Sequence, residues 1–370
     1  MSEQSVGDTQ AHRVAEAIDA LLDTAGVTWQ RKLVANIIDT GLELGLDRTS
    51  RLDLKISAAA LEEMHEAFQL FAPFTQIPKA TIFGSARTTA QDPLSLLTEV
   101  VSRQLAELGW MVVTGAGPGI MEAAVTGAGP DHSLGVSIRL PFEEATRHRI
   151  AHNDRLVSMK YFFTRKLMLV KESLGFVCLP GGFGTMDETF ELLTLQQTGK
   201  MIPVPIVLLD RPGGTFWNGF ADFVQEQLEG SGMIAAGDLD RVLITDSAAE
   251  AVREITRFWS NYDSLRWVPD RSTRRGEQNV QAEPDQLVMR LRAEPSDAEL
   301  ASLNERFAHL LYEGRIERTA PLNVEVADRD QLDLPRIIFT PRRRAVGELH
   351  RIVRAVNALP SAPSAVVLPE

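Results

Sequence analysis

The stretch LPGGFGTMDETFE, residues 179–191, contains the features from which the fold can be predicted. It closes an apolar run at 175–180 that is typical of a buried strand, and it opens residues 185–199, whose apolar spacing indicates a helix. Glycines let the backbone approach a ligand closely, and a helix N-terminus offers unpaired amides and the positive end of the helix dipole. We therefore expect a phosphate to bind at this junction, on Gly181, Gly182, Gly184 and Thr185.

The same alternation of short apolar runs and amphipathic stretches extends on both sides of this junction. Strands are predicted at 80–84, 110–115, 134–140, 155–159, 175–180, 204–210 and 242–245. Helices are predicted at 92–108, 119–128, 161–173, 185–199, 215–229 and 247–260. Continuous apolar strands separated by helices indicate a parallel sheet that is buried on both faces. The fold class predicted is α/β, a doubly wound Rossmann-like sheet, which binds ligands at the carboxyl ends of its strands.

The rest of the chain divides into three further parts. Residues 1–76 are predicted to form a helical N-terminal segment, with one helical period over 12–45 and a second helix capped by Ser57. The Rossmann-like domain is expected to cover residues 77–262, and a charged linker to cover residues 263–285. A small α+β C-terminal module is expected at 286–370.

Composition restricts the class of protein. Of the 370 residues 44% are apolar, which is enough for a substantial core, and the net charge of −12 argues against a nucleic-acid or anionic-membrane partner. The single cysteine excludes an internal disulfide framework, and no Cys/His cluster has zinc spacing. The N-terminus does not resemble a signal peptide, and no apolar run approaches the roughly 20 residues of a membrane span. We expect a soluble, cytoplasmic protein without a metal.

Two more unusual turns follow predicted strands. GSAR, residues 84–87, follows the first strand, and TGAGPG, residues 114–119, follows the second. The second turn does not match the dinucleotide fingerprint GxGxxG, so NAD is not favoured. Three such turns at the strand ends of one sheet converge on one crevice, which favours a nucleotide of modest size. The binding residues expected in these two turns are Gly84, Ser85, Gly115, Gly117 and Gly119.

Glu188 has a structural interpretation and a functional one. Thr185-Met-Asp-Glu188 matches the capping box T-x-x-E, and Asp187 and Glu191 are suited to complement the helix dipole. The preceding helix favours the functional interpretation. Arg165 stands near the start of that helix, where a cation is unfavourable unless an anion lies close to it. Its helical spacing places Met168 on the same face, while Lys166 points elsewhere.

Together these motifs resemble the Lonely Guy (LOG) family, whose members often carry an old lysine decarboxylase label. The motif P-G-G-x-G-T-x-x-E is intact from Pro180 to Glu188, and the R-K-x-x-M motif keeps Arg165 and Lys166, with Met168 one position early. The similarity covers roughly residues 79–260 and includes GSAR and GPGIMEAA.

The resemblance implies hydrolysis of the N-glycosidic bond of a nucleoside 5′-monophosphate, which releases the free base and ribose 5-phosphate. It gives Arg165 and Glu188 the catalytic roles, places the 5′-phosphate on the PGGFGT turn and lets Met168 contact the ligand. No cofactor is implied, and a homodimer or higher homo-oligomer is expected. A carboxylate beside the anomeric carbon can stabilise an oxocarbenium-like transition state or align a water.

The chain departs from the compact cytokinin-activating members of the family. It is about twice as long, it reads Gly115-Ala-Gly117-Pro-Gly119 after the second strand, and it has Phe162-Phe163-Thr164 before the arginine. These departures favour AMP or a related purine nucleotide as substrate over an N6-prenylated AMP. The alternative is a non-catalytic nucleotide or molybdenum-cofactor carrier of the same fold, against which the retained carboxylate argues, because it would weaken binding of an anion.

Overall fold

The structure is a computed structural model that describes residues 3–139, 153–268, 286–342 and 348–363. Its chain forms two compact units that divide between Met64 and His65. The predicted boundary at residue 76 therefore falls inside the second unit. None of the helices in these four ranges combines the length and the hydropathy of a membrane span.

The N-terminal segment is helical, as predicted. It contains α1 (Glu3–Thr24), α2 (Arg31–Leu46) and α3 (Arg51–Phe71), the last of which crosses the division between the units. Ser57 is not a helix cap, because α3 begins six residues before it. Ser50 occupies that role instead, since its Oγ accepts a hydrogen bond from the Asp53 amide at 3.2 Å.

A seven-stranded parallel sheet forms the centre of the second unit. Its strands are β1 (Lys79–Phe83), β2 (Met111–Thr114), β3 (Ser133–Ile138), β4 (Leu156–Met159), β5 (Gly175–Cys178), β6 (Ile206–Leu209) and β7 (Val242–Thr245). Their order is β4-β3-β2-β1-β5-β6-β7. The central strands are buried along their whole length, because helices cover both faces. The doubly wound α/β fold is confirmed.

Five helices connect these strands and a sixth follows β7, all close to the predicted bounds. They are α4 (Pro93–Glu107), α5 (Ile120–Ala128), α6 (Phe162–Lys171), α7 (Phe183–Gln197), α8 (Phe216–Phe223) and α9 (Ala248–Arg257). Asp92 and Ser247 cap α4 and α9 by accepting hydrogen bonds from first-turn amides, and α8 continues into a π-helical turn at Val224–Glu229. The chain reverses direction across the sheet between β1 and β5. Such a switch point is where ligands bind in this class of fold.

A second, antiparallel sheet of four strands follows, in the order β10-β11-β9-β8. The strands are β8 (Tyr262–Val268), β9 (Gln286–Leu291), β10 (Leu311–Arg318) and β11 (Arg336–Pro341), and the helices beside them are α10 (Asp297–Phe307), α11 (Asn323–Asp328) and α12 (Leu349–Asn357). The predicted linker was wrong over residues 263–268, which pair with β9 as β8. The remainder of that linker, residues 269–285, lies outside the described residues, so the division into four domains stays a prediction.

Candidate functional site

The three turns singled out in the sequence follow β1, β2 and β5, which are neighbours at the centre of the sheet. Backbone hydrogen bonds join them directly. The Ser85 amide donates to the Pro180 carbonyl at 3.2 Å, and the Ser85 carbonyl accepts from the Ile120 amide at 3.0 Å. The predicted convergence of these turns on one sheet edge therefore holds in the structure.

Two glycines make this approach possible. A side chain at Gly119, whose φ is +70°, would collide with the Ser85 carbonyl. A side chain at Gly181 would collide with the Thr185 hydroxyl and would lie 3.0 Å from the Ser85 amide. Ala116 also adopts a positive φ of 56°, which is uncommon for a residue with a side chain and is typical of constrained functional turns. The contacts between these turns thus require glycine at positions 119 and 181.

The other predicted glycines fall into two groups. Gly84 packs against the Ile120 side chain, Gly115 against the Arg165 guanidinium, and Gly117 against the end of Met121. These three serve close packing. In contrast, a side chain at Gly182 or Gly184 would meet nothing within 4 Å, so the backbone there faces open space.

The N-terminus of α7 has no side-chain cap. Gly182 is its N-cap residue and Phe183 its first residue, so Thr185 is the third residue and Glu188 the sixth. The capping-box interpretation of Thr185 and Glu188 is therefore wrong, because the N-cap residue is Gly182, three residues before Thr185. The first-turn amides of α7 are left without a capping side chain beside the two open glycines, which is the environment that an anion requires.

Arg165 lies in α6 and is buried, with 10% of its side chain exposed. Its Nε donates a hydrogen bond to the Val136 carbonyl of β3 at 2.9 Å, and its Nη1 donates to Glu188 Oε1 at 3.3 Å. Its Nη2 lies against Gly115, where any side chain would displace it. Burial lowers the pKa of the guanidinium, and the charge of Glu188 opposes that change. Arg165, which was predicted to need an anionic partner, thus pairs with Glu188.

Glu188 is 13% exposed at its side chain. Burial raises the pKa of this carboxyl from 4.5 to about 7, against the opposing effect of Arg165. Asp187 raises the same pKa further, whereas Lys166 lowers it. Both protonation states are therefore accessible near neutral pH, a property that general acids, bases and charge-stabilising carboxylates share.

Lys166 makes a second connection between α6 and α7. Its Nζ lies 2.7 Å from Asp187 Oδ2 and 2.9 Å from Glu191 Oε2. The two acids, interpreted from the sequence as complements of the helix dipole, stand at the fifth and ninth positions of α7 and pair with this lysine instead. The R-K dipeptide thus directs one cation to Glu188 and the other to the acids beside it.

Two further residues differ from expectation. Met168, predicted to contact the ligand, has no exposed surface and packs in the core. Phe183, which no sequence motif indicated, is 96% exposed and lies between the open Gly182 and Gly184. Its signal was available in the sequence, because an aromatic residue between glycines at a helix start has few neighbours to cover it.

Two cavities elsewhere in the described residues border α12 and are lined by arginines that already have acidic partners. Volumes of about 450 and 490 Å³ lie on either side of Arg351 and Arg354 of α12. Arg351 is already paired with Asp240 at 2.8 Å, and Arg354 with Glu254 at 2.8 Å. Within the same described ranges, no group of three or more His, Cys, Asp and Glu side chains is arranged to hold a metal.

Comparison with known proteins agrees with the motifs. A family model described as possible lysine decarboxylase matches residues 119–255. A cytokinin riboside 5′-monophosphate phosphoribohydrolase from Mycobacterium marinum is 29% identical over 173 residues, which are 46% of this chain and 90% of that protein. The protein of the same name from Mycobacterium tuberculosis is 29% identical over 177 residues, with the same coverage. The similarity to the Lonely Guy family is thus confirmed over about half of the chain.

Solved structures show a weaker likeness. A molybdenum cofactor binding protein from Rippkaea orientalis is 20% identical and covers 48% of this chain and 94% of its own, with a TM-score of 0.33. A likeness of this size favours no particular ligand for the chain.

Proposed function

We propose that this chain, whose central part is similar to the cytokinin riboside 5′-monophosphate phosphoribohydrolases, is a nucleoside 5′-monophosphate phosphoribohydrolase. It cleaves the N-glycosidic bond and releases the free base and ribose 5-phosphate. The observation that carries the proposal is the buried pair of Arg165 and Glu188, which stands between the Gly115 turn and α7, the helix that begins at the open glycines.

The phosphate binds at the N-terminus of α7. The uncapped first-turn amides and the exposed Gly182 and Gly184 support this assignment, because a dianion is stabilised by free N–H groups and by the positive end of the helix dipole. Thr185 is buried against Gly181 and contributes to the shape of the turn. The turns that contain Ser85 and Gly119 form the neighbouring walls.

Glu188 acts on the ribosyl carbon. Departure of the base builds positive charge at the anomeric centre, and an ionised carboxylate stabilises that charge or aligns the attacking water. The substrate phosphate disfavours ionisation of Glu188, and Arg165 offsets this effect through its charge. Arg165 is held by the Val136 carbonyl, so its guanidinium is oriented before substrate arrives.

AMP or a related purine nucleotide is the first candidate substrate, and N6-prenylated AMP is the second. The relatives carry the cytokinin name, but the departures at Gly115–Gly119 and Phe162–Thr164 separate this chain from compact members of that group. The protein is expected to act without a cofactor, as a homodimer or higher homo-oligomer in the cytoplasm.

The test is a turnover assay with AMP, CMP, GMP, IMP and N6-isopentenyl-AMP that quantifies both free base and ribose 5-phosphate. The variants are Glu188→Gln and Arg165→Ala. Glu191→Gln and Lys166→Ala are the controls, because they remove one acidic and one basic side chain from the same two helices outside the Arg165–Glu188 pair. Turnover that falls strongly in the first two variants and is kept in the controls supports the proposal. Binding of nucleotide without any cleavage by the wild type would favour the carrier alternative.

A further inference from the structure

Helix α2 has an apolar surface that the other helices of its own unit do not cover. None of its residues, Arg31–Leu46, is buried. Leu33 is 59% exposed, Ile37 52%, Leu42 46% and Leu46 73%. A helix with apolar residues on most of its sides is normally enclosed, and exposed apolar patches mark interaction sites. A surface of this kind requires a partner.

The row Leu33, Ile37, Gly41 and Gly45 runs along one side of α2 at intervals of four residues. The N-terminal half of this row consists of two bulky side chains, and its C-terminal half consists of two glycines. A side chain added at Gly41 or Gly45 would meet nothing within 4 Å. Glycine inside an exposed helix costs about 1 kcal/mol relative to alanine, so close approach of another helix is the physical reason to have it here.

The charged residues of α2 are placed unfavourably for the dipole of the helix. Its first turn has no acidic residue and its last turn no basic one. Arg31 and Lys32 stand at the N-terminal end, and Glu43 and Asp47 at the C-terminal end. Arg31 is paired with acids of α1, but Lys32, Glu43 and Asp47 form no ion pair within the described residues. Such a distribution is unfavourable for an isolated helix and favourable beside an antiparallel copy of itself.

We infer that α2 packs antiparallel against α2 of a second copy of this chain, about a two-fold axis between Ile37 and Gly41. In that arrangement Ile37 of one copy lies over Gly41 of the other, and Leu33 lies over Gly45. The basic end of each helix meets the acidic end of the other. The same surface is used twice, as a two-fold interface requires. A parallel arrangement would instead place Leu33 against Leu33 and like charges side by side.

Engineered disulfides test this register. The one natural cysteine, Cys178, is fully buried and does not compete. Chains with Ile37→Cys and chains with Gly41→Cys are co-expressed under different affinity tags and oxidised. Disulfide-linked dimers on a non-reducing gel are expected to be severalfold more abundant in the mixed preparation than in either single variant. Equal or absent cross-linking in the mixture overturns the proposed pairing.

The oligomeric mass provides a second, independent measurement. Ile37→Glu is expected to halve the mass of the full chain in light scattering coupled to size-exclusion chromatography. Leu96→Glu is the matched control, because Leu96 is 51% exposed on α4 and should leave the mass unchanged. Circular dichroism checks that both variants remain folded. An unchanged mass for Ile37→Glu contradicts the inference, as it would if α2 were covered by another protein or by its own chain. Neither measurement depends on catalytic activity.

Discussion

Arg165 Nη1 lies 3.3 Å from Glu188 Oε1, and the two side chains are 10% and 13% exposed. Burying an ion pair is costly because both charges lose their hydration, and well-packed apolar residues would often serve stability equally well. This pair stands at the carboxyl ends of the central strands, where ligands bind in doubly wound folds. Its position favours a chemical role over a structural one, and each member has a distinct consequence when it is changed.

Glu188→Gln keeps the size of the side chain and its ability to accept from Arg165, but it removes the negative charge. We expect kcat for AMP to fall at least about 100-fold, the order found for loss of one charge-stabilising group, with KM changed much less. The measurement is release of ribose 5-phosphate under saturating substrate. Activity within a few-fold of wild type would exclude Glu188 from the chemical step, provided that Glu191→Gln is equally active.

Glu188 also makes stability depend on pH. Its pKa is raised from 4.5 to about 7 in the folded chain, so the native state holds more protons than the unfolded state between these values. The stabilising contribution of this group is present below pH 4.5 and is lost as the pH rises through about 7. Glu188→Gln does not titrate. Its free energy of unfolding, measured by urea titration relative to wild type, should therefore rise between pH 5 and pH 8 by an amount on the order of 1 kcal/mol or more. A constant difference across this range would show that burial does not raise this pKa.

Arg165→Ala should move the pH dependence of activity in a defined direction. If the ionised carboxylate is required, kcat/KM rises with pH through the pKa of Glu188, about 7 in the wild type. The guanidinium is the group that lowers this pKa most, so its removal raises the pKa of Glu188. The rise of kcat/KM therefore moves to higher pH, and its maximum value falls. The substrate phosphate titrates near roughly pH 6 in both proteins, so it cancels in the comparison. A limb that stays in place, or moves to lower pH, would contradict the coupling.

Much of this fold is predictable from local sequence. The strands of the central sheet are short continuous apolar runs, and each begins or ends within two residues of its predicted bounds. The exception lay where the pattern was weakest. Residues 263–268 combine apolar, acidic and basic side chains and were assigned to a linker, because their strand conformation depends on pairing with β9, 18 or more residues away in the sequence.

The candidate site was predictable in its residues and less so in its contacts. The glycine turns and Arg165 indicated a meeting point at the sheet edge, because parallel strands end on the same side. The sequence could not decide between a cap and an ion pair for Glu188. That choice depends on whether the helix begins at Phe183, as it does, or after Thr185. The sequence also could not show that Met168 faces the core. Helical spacing indicates which residues share a face of the helix, but not which face the rest of the chain covers.

The glycines of the PGGFGT turn divide into one that the fold requires and two that only the ligand would require. Gly181→Ala forces a clash with Thr185 and the Ser85 amide, so we expect a loss of stability of about 1–3 kcal/mol. Gly182→Ala combined with Gly184→Ala meets no neighbouring atom, and it should leave the melting temperature unchanged or slightly higher. If the phosphate binds at these amides, the added methyl groups raise KM for AMP by roughly tenfold, which corresponds to about 1.4 kcal/mol of binding. Competition by ribose 5-phosphate should weaken in parallel. A double variant that keeps both KM and this competition at wild-type values would move the phosphate away from the start of α7, and the assignment of Glu188 to the anomeric carbon would have to be abandoned with it.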